Sequence, residues 1–245
     1  MNVVVTGASS GIGEVIALRL AERGHTVFGL ARSRDKLDAL AAQRPGAIVP
    51  MQVDVTMPAQ IQSAFESIES GYGPIDVLIN NAGIYERLNF WDQDIETMGR
   101  IIDTNLKGAM YCTRLALPYM MARKAGRIIN IASVSGTRGI PYETTYSASK
   151  HGMVGFSDAI AQEALPHGIL VYALCPGAVA TPLWNANNPY HGGDVSILAA
   201  EEVAELVEFM LTRPATSVYK RVIFFPNNEW HRQAGVSVVV GRIVC

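Results

Sequence analysis

The strongest constraint on the fold is a rhythm. Short β-branched apolar runs alternate with longer stretches of helical periodicity along nearly the whole chain. Residues 2–6, 25–31, 48–53, 75–80, 126–133, 169–174 and 220–225 read as strands. Residues 11–23, 34–42, 58–70, 97–123, 145–164 and 200–211 read as helices. The strands are almost continuously apolar, as expected where helices cover both faces of a parallel sheet. No Pro/Gly-rich linker interrupts the alternation, so a single α/β domain with a doubly wound parallel sheet is expected. Its bounds are placed at 1–230, with a cofactor half over about 1–130, a catalytic and substrate half over about 131–230, and a tail over 231–245.

Between the first strand and the first helix lies Thr6-Gly7-Ala8-Ser9-Ser10-Gly11-Ile12-Gly13. Glycines let a backbone turn tightly and come close to a pyrophosphate, and a helix N-terminus offers unpaired N–H groups and partial positive charge. Here the string follows a strand, opens a helix and starts a βαβ unit, which is the context of a Rossmann-type dinucleotide site. Gly7, Ser9, Ser10, Gly11, Ile12 and Gly13 are therefore candidate cofactor contacts. An acid at the end of the second strand would bind the adenosine ribose 2′-hydroxyl and select NAD. The sequence instead places Arg32 there, followed by Ser33 and Arg34. A guanidinium can meet a 2′-phosphate and stack on adenine. NADP(H) is the favoured cofactor, with NAD(H) as the alternative if Arg32 and Arg34 are only solvated charges.

A second constellation supplies chemistry. Tyr146 and Lys150 stand four residues apart, one helical turn, with Ser133 upstream at a strand end. An ammonium beside a phenol favours the phenolate, so Lys150 is expected to lower the Tyr146 pKa. Hydride transfer to a carbonyl requires a proton donor and hydrogen bonds to the developing charge. Tyr146 is expected to give that proton in reduction and take it back in oxidation. Ser133 would hold the substrate oxygen, with Ser135 a rival for that role, and Lys150 could also hold the nicotinamide ribose.

These residues together resemble the short-chain dehydrogenase/reductase family. Its glycine motif matches Thr6 to Gly13, its adenine-side motif Asn80-Asn81-Ala82-Gly83, and its catalytic asparagine Asn105. Its serine falls on Ser133, its Tyr-x-x-x-Lys motif on Tyr146 and Lys150, and its Pro-Gly motif on Pro176-Gly177, with Val179 and Thr181 beyond. Asp54-Val55 fits the family's adenine contact. The matches run in order over residues 2–182. The resemblance implies a seven-stranded parallel Rossmann fold and reversible alcohol–carbonyl oxidoreduction. It also implies an Asn105-anchored water relay to Lys150, a Thr181 contact with the carboxamide, and the NADP-preferring branch through Arg32. A homodimer or homotetramer through helices 97–123 and 145–164 follows from the same likeness.

The substrate, a small-molecule carbonyl or alcohol, is expected between loops 84–89, 134–142 and 178–190. These supply Tyr85, Ser135, Arg138, Tyr142, Leu183, Trp184 and Tyr190. Arg138 could recognise a carboxylate or be a plain surface charge. A steroid-like substrate, a small keto acid and a polyol all stay open. A net charge of −2 gives no reason to expect nucleic acid or anionic membrane as a partner. Three widely spaced cysteines and five histidines show no metal-ligand spacing, so no metal is expected. A cytoplasmic location is expected. The segment from Val236 to Val244 reads as an unplanned apolar strand in a tail that packs or is disordered.

Overall fold

A computed structural model describes residues 1–184, 196–214 and 216–227. Strands β1 (Asn2–Thr6), β2 (Thr26–Ala31), β3 (Ile48–Gln52), β4 (Ile75–Asn80), β5 (Gly126–Ile131), β6 (Ile169–Pro176) and β7 (Arg221–Phe224) form one seven-stranded sheet. The order is β3-β2-β1-β4-β5-β6-β7, and every neighbouring pair is parallel. Parallel neighbours require crossovers, and these place helices on both faces. The helices are α1 (Gly11–Glu22), α2 (Arg34–Gln43), α3 (Pro58–Gly71), α4 (Ile95–Ile102), α5 (Gly108–Arg123), α6 (Thr144–Ala164) and α7 (Ala200–Thr212). This is the doubly wound Rossmann architecture that the alternation of apolar runs predicts.

β1 shows why its strand must be apolar at every step. Val3 and Val5 pack with Ile16, Leu20, Val203 and Val207 on one face, while Val4 packs with Phe28, Phe65 and Leu78 on the other. Successive side chains alternate between faces, and here both faces are core. All of these side chains are fully buried, and each contributes about 1.5–3 kcal/mol of burial. The chain runs outward from β1 to β3 and returns at β4, so the strand order reverses between β1 and β4. Ligands of such sheets bind at the strands' carboxyl ends beside that reversal.

A buried polar ladder fixes the helices beyond the reversal. Asn80 and Asn130 are register partners across β4 and β5. The Asn80 Nδ2 donates to Asn130 Oδ1 at 2.8 Å and to Thr113 Oγ1 at 3.0 Å. The Asn130 Nδ2 donates to Ser157 Oγ at 2.8 Å. The two strands are thereby tied to α5 and α6, and buried networks of this kind specify one arrangement.

Three departures from the sequence reading matter for the site. The single helix expected over 97–123 is broken: α4 runs into a π-turn at Asp103–Lys107 before α5 begins. The inserted residue turns Asn105 inward. Asn105 Oδ1 accepts from the Ile84 N–H at 2.7 Å, and its Nδ2 donates to the Ile84 carbonyl at 2.9 Å and to Ser149 Oγ at 3.1 Å. Those bonds satisfy backbone groups of the chain leaving β4, which offsets the poorer hydrogen bonding of a π-turn. The strand expected to reach Ser133 ends at Ile131, and Ser133 instead caps a short 3-10 turn at Val134–Gly136. The segment from Val236 to Val244, and Tyr190, lie outside the described residues. Among the described residues no helix is long and apolar enough to cross a membrane. No group of three or more His, Cys, Asp or Glu among them is arranged to hold a metal ion.

Candidate active site

The loop after β1 is shaped by what it lacks. Gly7 has φ +66°, and a Cβ there would meet the Ala82 Cα at 2.8 Å. A Cβ on Gly13 would meet Asn81 Nδ2 and the Gly7 carbonyl oxygen, both at 2.4 Å. The loop is clamped to the end of β4. Thr6 Oγ1 accepts from the N–H groups of Asn81 and Ala82 at 3.0 Å each, and Asn81 Nδ2 donates to the Thr6 carbonyl at 3.0 Å. Ser10 enters α1 in an extended conformation and its side chain caps nothing. The first-turn N–H groups of α1 therefore face the crevice without a side-chain acceptor, as an anion site requires.

A cleft of about 400 Å³ runs along this edge. Gly7, Ser9, Ser10, Gly11 and Ile12 form its floor, with Asn81, Ala82 and Gly83 beside them. Arg32, Asp54 and Val55 close one end, and Tyr146, Lys150 and Thr181 the other. Asp54 Oδ1 accepts from the Thr56 N–H at 2.9 Å and its hydroxyl at 2.8 Å, which shapes the loop that Val55 occupies. Arg34 is tied to Asp38 at 2.9 Å, whereas exposed Arg32 lines the cleft with Ser33 and Lys36. Lys36 was not singled out from sequence. Its signal is its position four residues past Arg32, in the first turn of α2.

At the other end Lys150 is buried, and its Nζ donates to the Ile131 carbonyl at 2.9 Å. Burial pulls its pKa down to about 8. The ammonium lies 5.6 Å from the centre of the Tyr146 ring. The expected lowering of the Tyr146 pKa is reversed here. Burial pushes the phenol up, the charge of Glu143 adds to that, and only a hydrogen bond with Ser133 pulls it down. The reason is geometric: the Lys150 ammonium is bonded to a carbonyl, and desolvation of the phenol outweighs the rest.

A second cavity of about 540 Å³ adjoins the cleft. The two share Ile12, Ala132, Tyr146, Thr181 and Leu183. Tyr85, Ser133, Ser135, Arg138, Leu183 and Trp184 are among the residues that line it. Tyr85 packs edge-on against Tyr146 at 5.0 Å and against Trp184 at 5.1 Å. The Arg138 guanidinium stands 5.6 Å from the Phe225 ring centre. Pro176, Gly177 and Val179, expected at the cofactor, line this second cavity beside the wall it shares with the cleft. The chain turns there because Val179 pairs with Leu198 in an isolated bridge and its carbonyl accepts from Trp184 Nε1 at 2.8 Å. Tyr142 departs from expectation too. Its ring is half exposed and lies under the Arg87 guanidinium at 5.0 Å, outside the cavity.

Glu143 is the main residue that the sequence reading missed. It is buried in the wall of the second cavity. Its Oε1 accepts from the Tyr85 hydroxyl at 2.9 Å and faces Arg87 Nη1 at 3.4 Å, while Oε2 accepts from Ser135 Oγ at 2.9 Å. An acid three residues before Tyr146, at the N-cap of α6, was a usable signal. The expected loop stopped one residue short of it.

A parallel sheet whose strand-order reversal carries a glycine-walled crevice defines a dinucleotide-binding α/β protein. Residues 1–191 match the short chain dehydrogenase family, and the chain belongs to that family of oxidoreductases. Among its relatives, the 3-oxoacyl-(acyl-carrier-protein) reductase FabG of Thermotoga maritima is 34% identical over 231 residues, spanning 90% of this chain and 94% of the relative. A solved 3-ketoacyl-(acyl-carrier-protein) reductase from Brucella melitensis, complexed with NADH, superposes with a TM-score of 0.86 at 28% identity, covering 92% of this chain and 97% of that one. ElxO with NADP bound superposes with a TM-score of 0.85 at 25% identity, covering 94% and 98%.

Proposed function

We propose that the protein is an NADP(H)-dependent oxidoreductase that interconverts a carbonyl and an alcohol, with Tyr146 as general acid and base. The observation that carries this reading is the place of Tyr146 on the wall common to the two cavities. One cavity has the glycine cradle of a dinucleotide, and the other has the volume and mixed lining of a small-molecule pocket. A nicotinamide nucleotide, when bound, supplies or accepts the hydride.

The protein's own residues do the rest. The Gly7–Gly13 loop and the α1 N-terminus would receive the pyrophosphate, and Asp54 and Val55 the adenine. Arg32 with Lys36 would meet a 2′-phosphate, which favours NADP(H). The NADH named for the Brucella relative keeps NAD(H) as the alternative. Lys150 would hold the ribose beside Tyr146, and Thr181 the carboxamide side. Ser133 donates a hydrogen bond to the substrate oxygen, and Tyr146 moves the proton at that oxygen. Asn105 fixes the backbone beside which a water relay to Lys150 would run. Residues 1–230 act as one catalytic unit in this reading, assembled as a homodimer or homotetramer. The relatives' names put a 3-oxoacyl thioester first among candidate substrates.

The test follows nicotinamide absorbance with NADPH and NADH in parallel, against 3-oxoacyl thioesters, keto acids, sugar-like and steroid-like carbonyls, and the matching alcohols. The expected result is turnover of at least one substrate with NADPH preferred by about tenfold or more, the scale of one charge-assisted hydrogen bond. Tight cofactor binding with no turnover in either direction would mark a dinucleotide-sensing scaffold and overturn the proposal.

A further inference from the structure

One carboxylate stands a single residue away from both Tyr146 and Ser133. Glu143 accepts from the Tyr85 hydroxyl, and the Tyr85 ring packs edge-on against Tyr146 at 5.0 Å. Glu143 also accepts from the Ser135 hydroxyl, and the Ser135 N–H donates to Ser133 Oγ at 3.1 Å. The chain is bent to bring this about. Tyr142, immediately before it, holds φ +68°, a left-handed conformation that costs a non-glycine residue on the order of 1 kcal/mol or more. Two contacts hold that bend. The Tyr142 carbonyl accepts from the Leu88 N–H at 3.0 Å, and its ring lies under Arg87. The strained residue faces out and the next one faces in, so the strain is coupled to the burial of Glu143.

We propose that Glu143 is a positioning residue for proton transfer: it holds Tyr85 as the wall against Tyr146 and Ser135 as the donor that orients Ser133. This rests on the reading of Tyr146 as the general acid and base. The groups facing the carboxylate are Tyr85 and Arg87 from the segment after β4 and Ser135 from the turn after β5. Tyr146 and Lys150 follow it on α6, and Arg138 lines the same cavity. Tyr146 donates no hydrogen bond to Glu143 among the described contacts, so the influence on it runs through Tyr85 and through space. The through-space part adds to the burial that raises the phenol's pKa, so deprotonation of Tyr146, which oxidation needs, is the step the charge opposes.

The experiment compares Glu143→Gln and Glu143→Ala with the unsubstituted enzyme. Three quantities are read: NADPH affinity by fluorescence, kcat and KM in both directions, and the pH profile of alcohol oxidation. Glu143→Gln keeps the shape and removes the charge. It should leave cofactor affinity within about twofold, lower kcat for reduction about tenfold, and move the rise of the oxidation rate with pH to lower pH by about one unit, as loss of a nearby negative charge does. Glu143→Ala should lower kcat further, about a hundredfold, because Tyr85 and Ser135 then lose their common acceptor. A Glu143→Gln enzyme with unchanged kcat and an unmoved pH profile overturns the proposal. So does an equal fall in kcat and cofactor affinity, which marks a structural role only. Phenolate absorbance of Tyr146, taken as the difference from Tyr146→Phe in the oxidised-cofactor complex, reads the same shift without turnover. If no substrate is turned over, the functional reading fails while this titration still judges Glu143.

Discussion

The two ends of the cleft are built by different means. At the β1–β2 end the backbone itself is the device: a Cβ on Gly7 or Gly13 would collide with Ala82 or Asn81. At the β5–α6 end the backbone departs from regular geometry at Tyr142 and at the π-turn of Asn105, and a Cβ on Gly136 would meet the Lys150 carbonyl oxygen at 2.6 Å. The reacting groups there are nevertheless positioned mainly by side-chain bonds around Glu143, Lys150 and Asn105. The first end excludes whatever would fill the space of a phosphate. The second, in the proposed function, moves a proton at a chosen oxygen. Damage should therefore appear as lost cofactor affinity at one end and as lost turnover at the other.

The largest effect tests the second end alone. Tyr146→Phe removes the transferable proton and keeps the ring against Tyr85. We expect kcat to fall by about a thousandfold, within the range for losing a general acid–base group, while NADPH affinity stays within about twofold. Steady-state kinetics and a fluorescence titration check both halves. Substantial turnover in this variant would place the proton elsewhere. Gly13→Ala is the matched blow to the first end. Its new methyl must displace Asn81 and the Gly7 carbonyl, at a cost of about 1–3 kcal/mol for overpacking. Affinity for NADPH should fall by about a hundredfold, the upper end of that range, with kcat at saturating cofactor much less affected. A kcat defect with intact affinity would erase the distinction between the ends.

The same contrast explains how much of the molecule could be read in advance. Strand positions, the parallel sheet and the glycine cradle are local statements: an apolar run, or a glycine where φ is positive. They survive translation from sequence because each depends on a few adjacent residues. The π-turn at Asn105 does not, since its cause is the Ile84 backbone twenty-one residues earlier. The site of Pro176, Gly177 and Val179 also needed the distant bridge to Leu198. Glu143 escaped notice because its partners come from two distant segments, and a lone acid at a helix start usually marks a solvated cap. Most telling is Lys150. Spacing puts it beside Tyr146, but only the fold shows that its ammonium is bonded to the Ile131 carbonyl.

Arg32→Asp sharpens the comparison at the adenosine end. Arg32 lines the cleft with Lys36, while Arg34 is occupied by Asp38. Loss of a charge-assisted contact, worth about 1.5–3 kcal/mol, should lower the ratio of NADPH to NADH affinity between about tenfold and a hundredfold. Catalysis with NADH at saturation should change little. An unchanged affinity ratio would remove Arg32 from the cofactor site.

The smallest effect concerns stability, and it has the sign opposite to that usually expected of an active-site substitution. Lys150 is buried, and its folded pKa of about 8 lies below the ordinary 10.5. Between those values the unfolded chain binds the proton and the folded one does not, so stability rises as pH increases from about 8 to 10.5. Below that window both states are protonated and the burial cost stays in full. Lys150→Met removes that cost, up to about 3 kcal/mol at one pKa unit per 1.36 kcal/mol. It also orphans the Ile131 carbonyl, a loss of about 1–3 kcal/mol. The net gain at neutral pH should be on the order of 1 kcal/mol, with activity damaged in the same variant. Denaturant unfolding of the cofactor-free protein at pH 7 and across the alkaline window measures both parts. A less stable variant, together with a flat stability profile for the unsubstituted protein above pH 8, would show that Lys150 keeps its proton in the fold. The chemistry end would then carry no stability cost that the glycine end lacks.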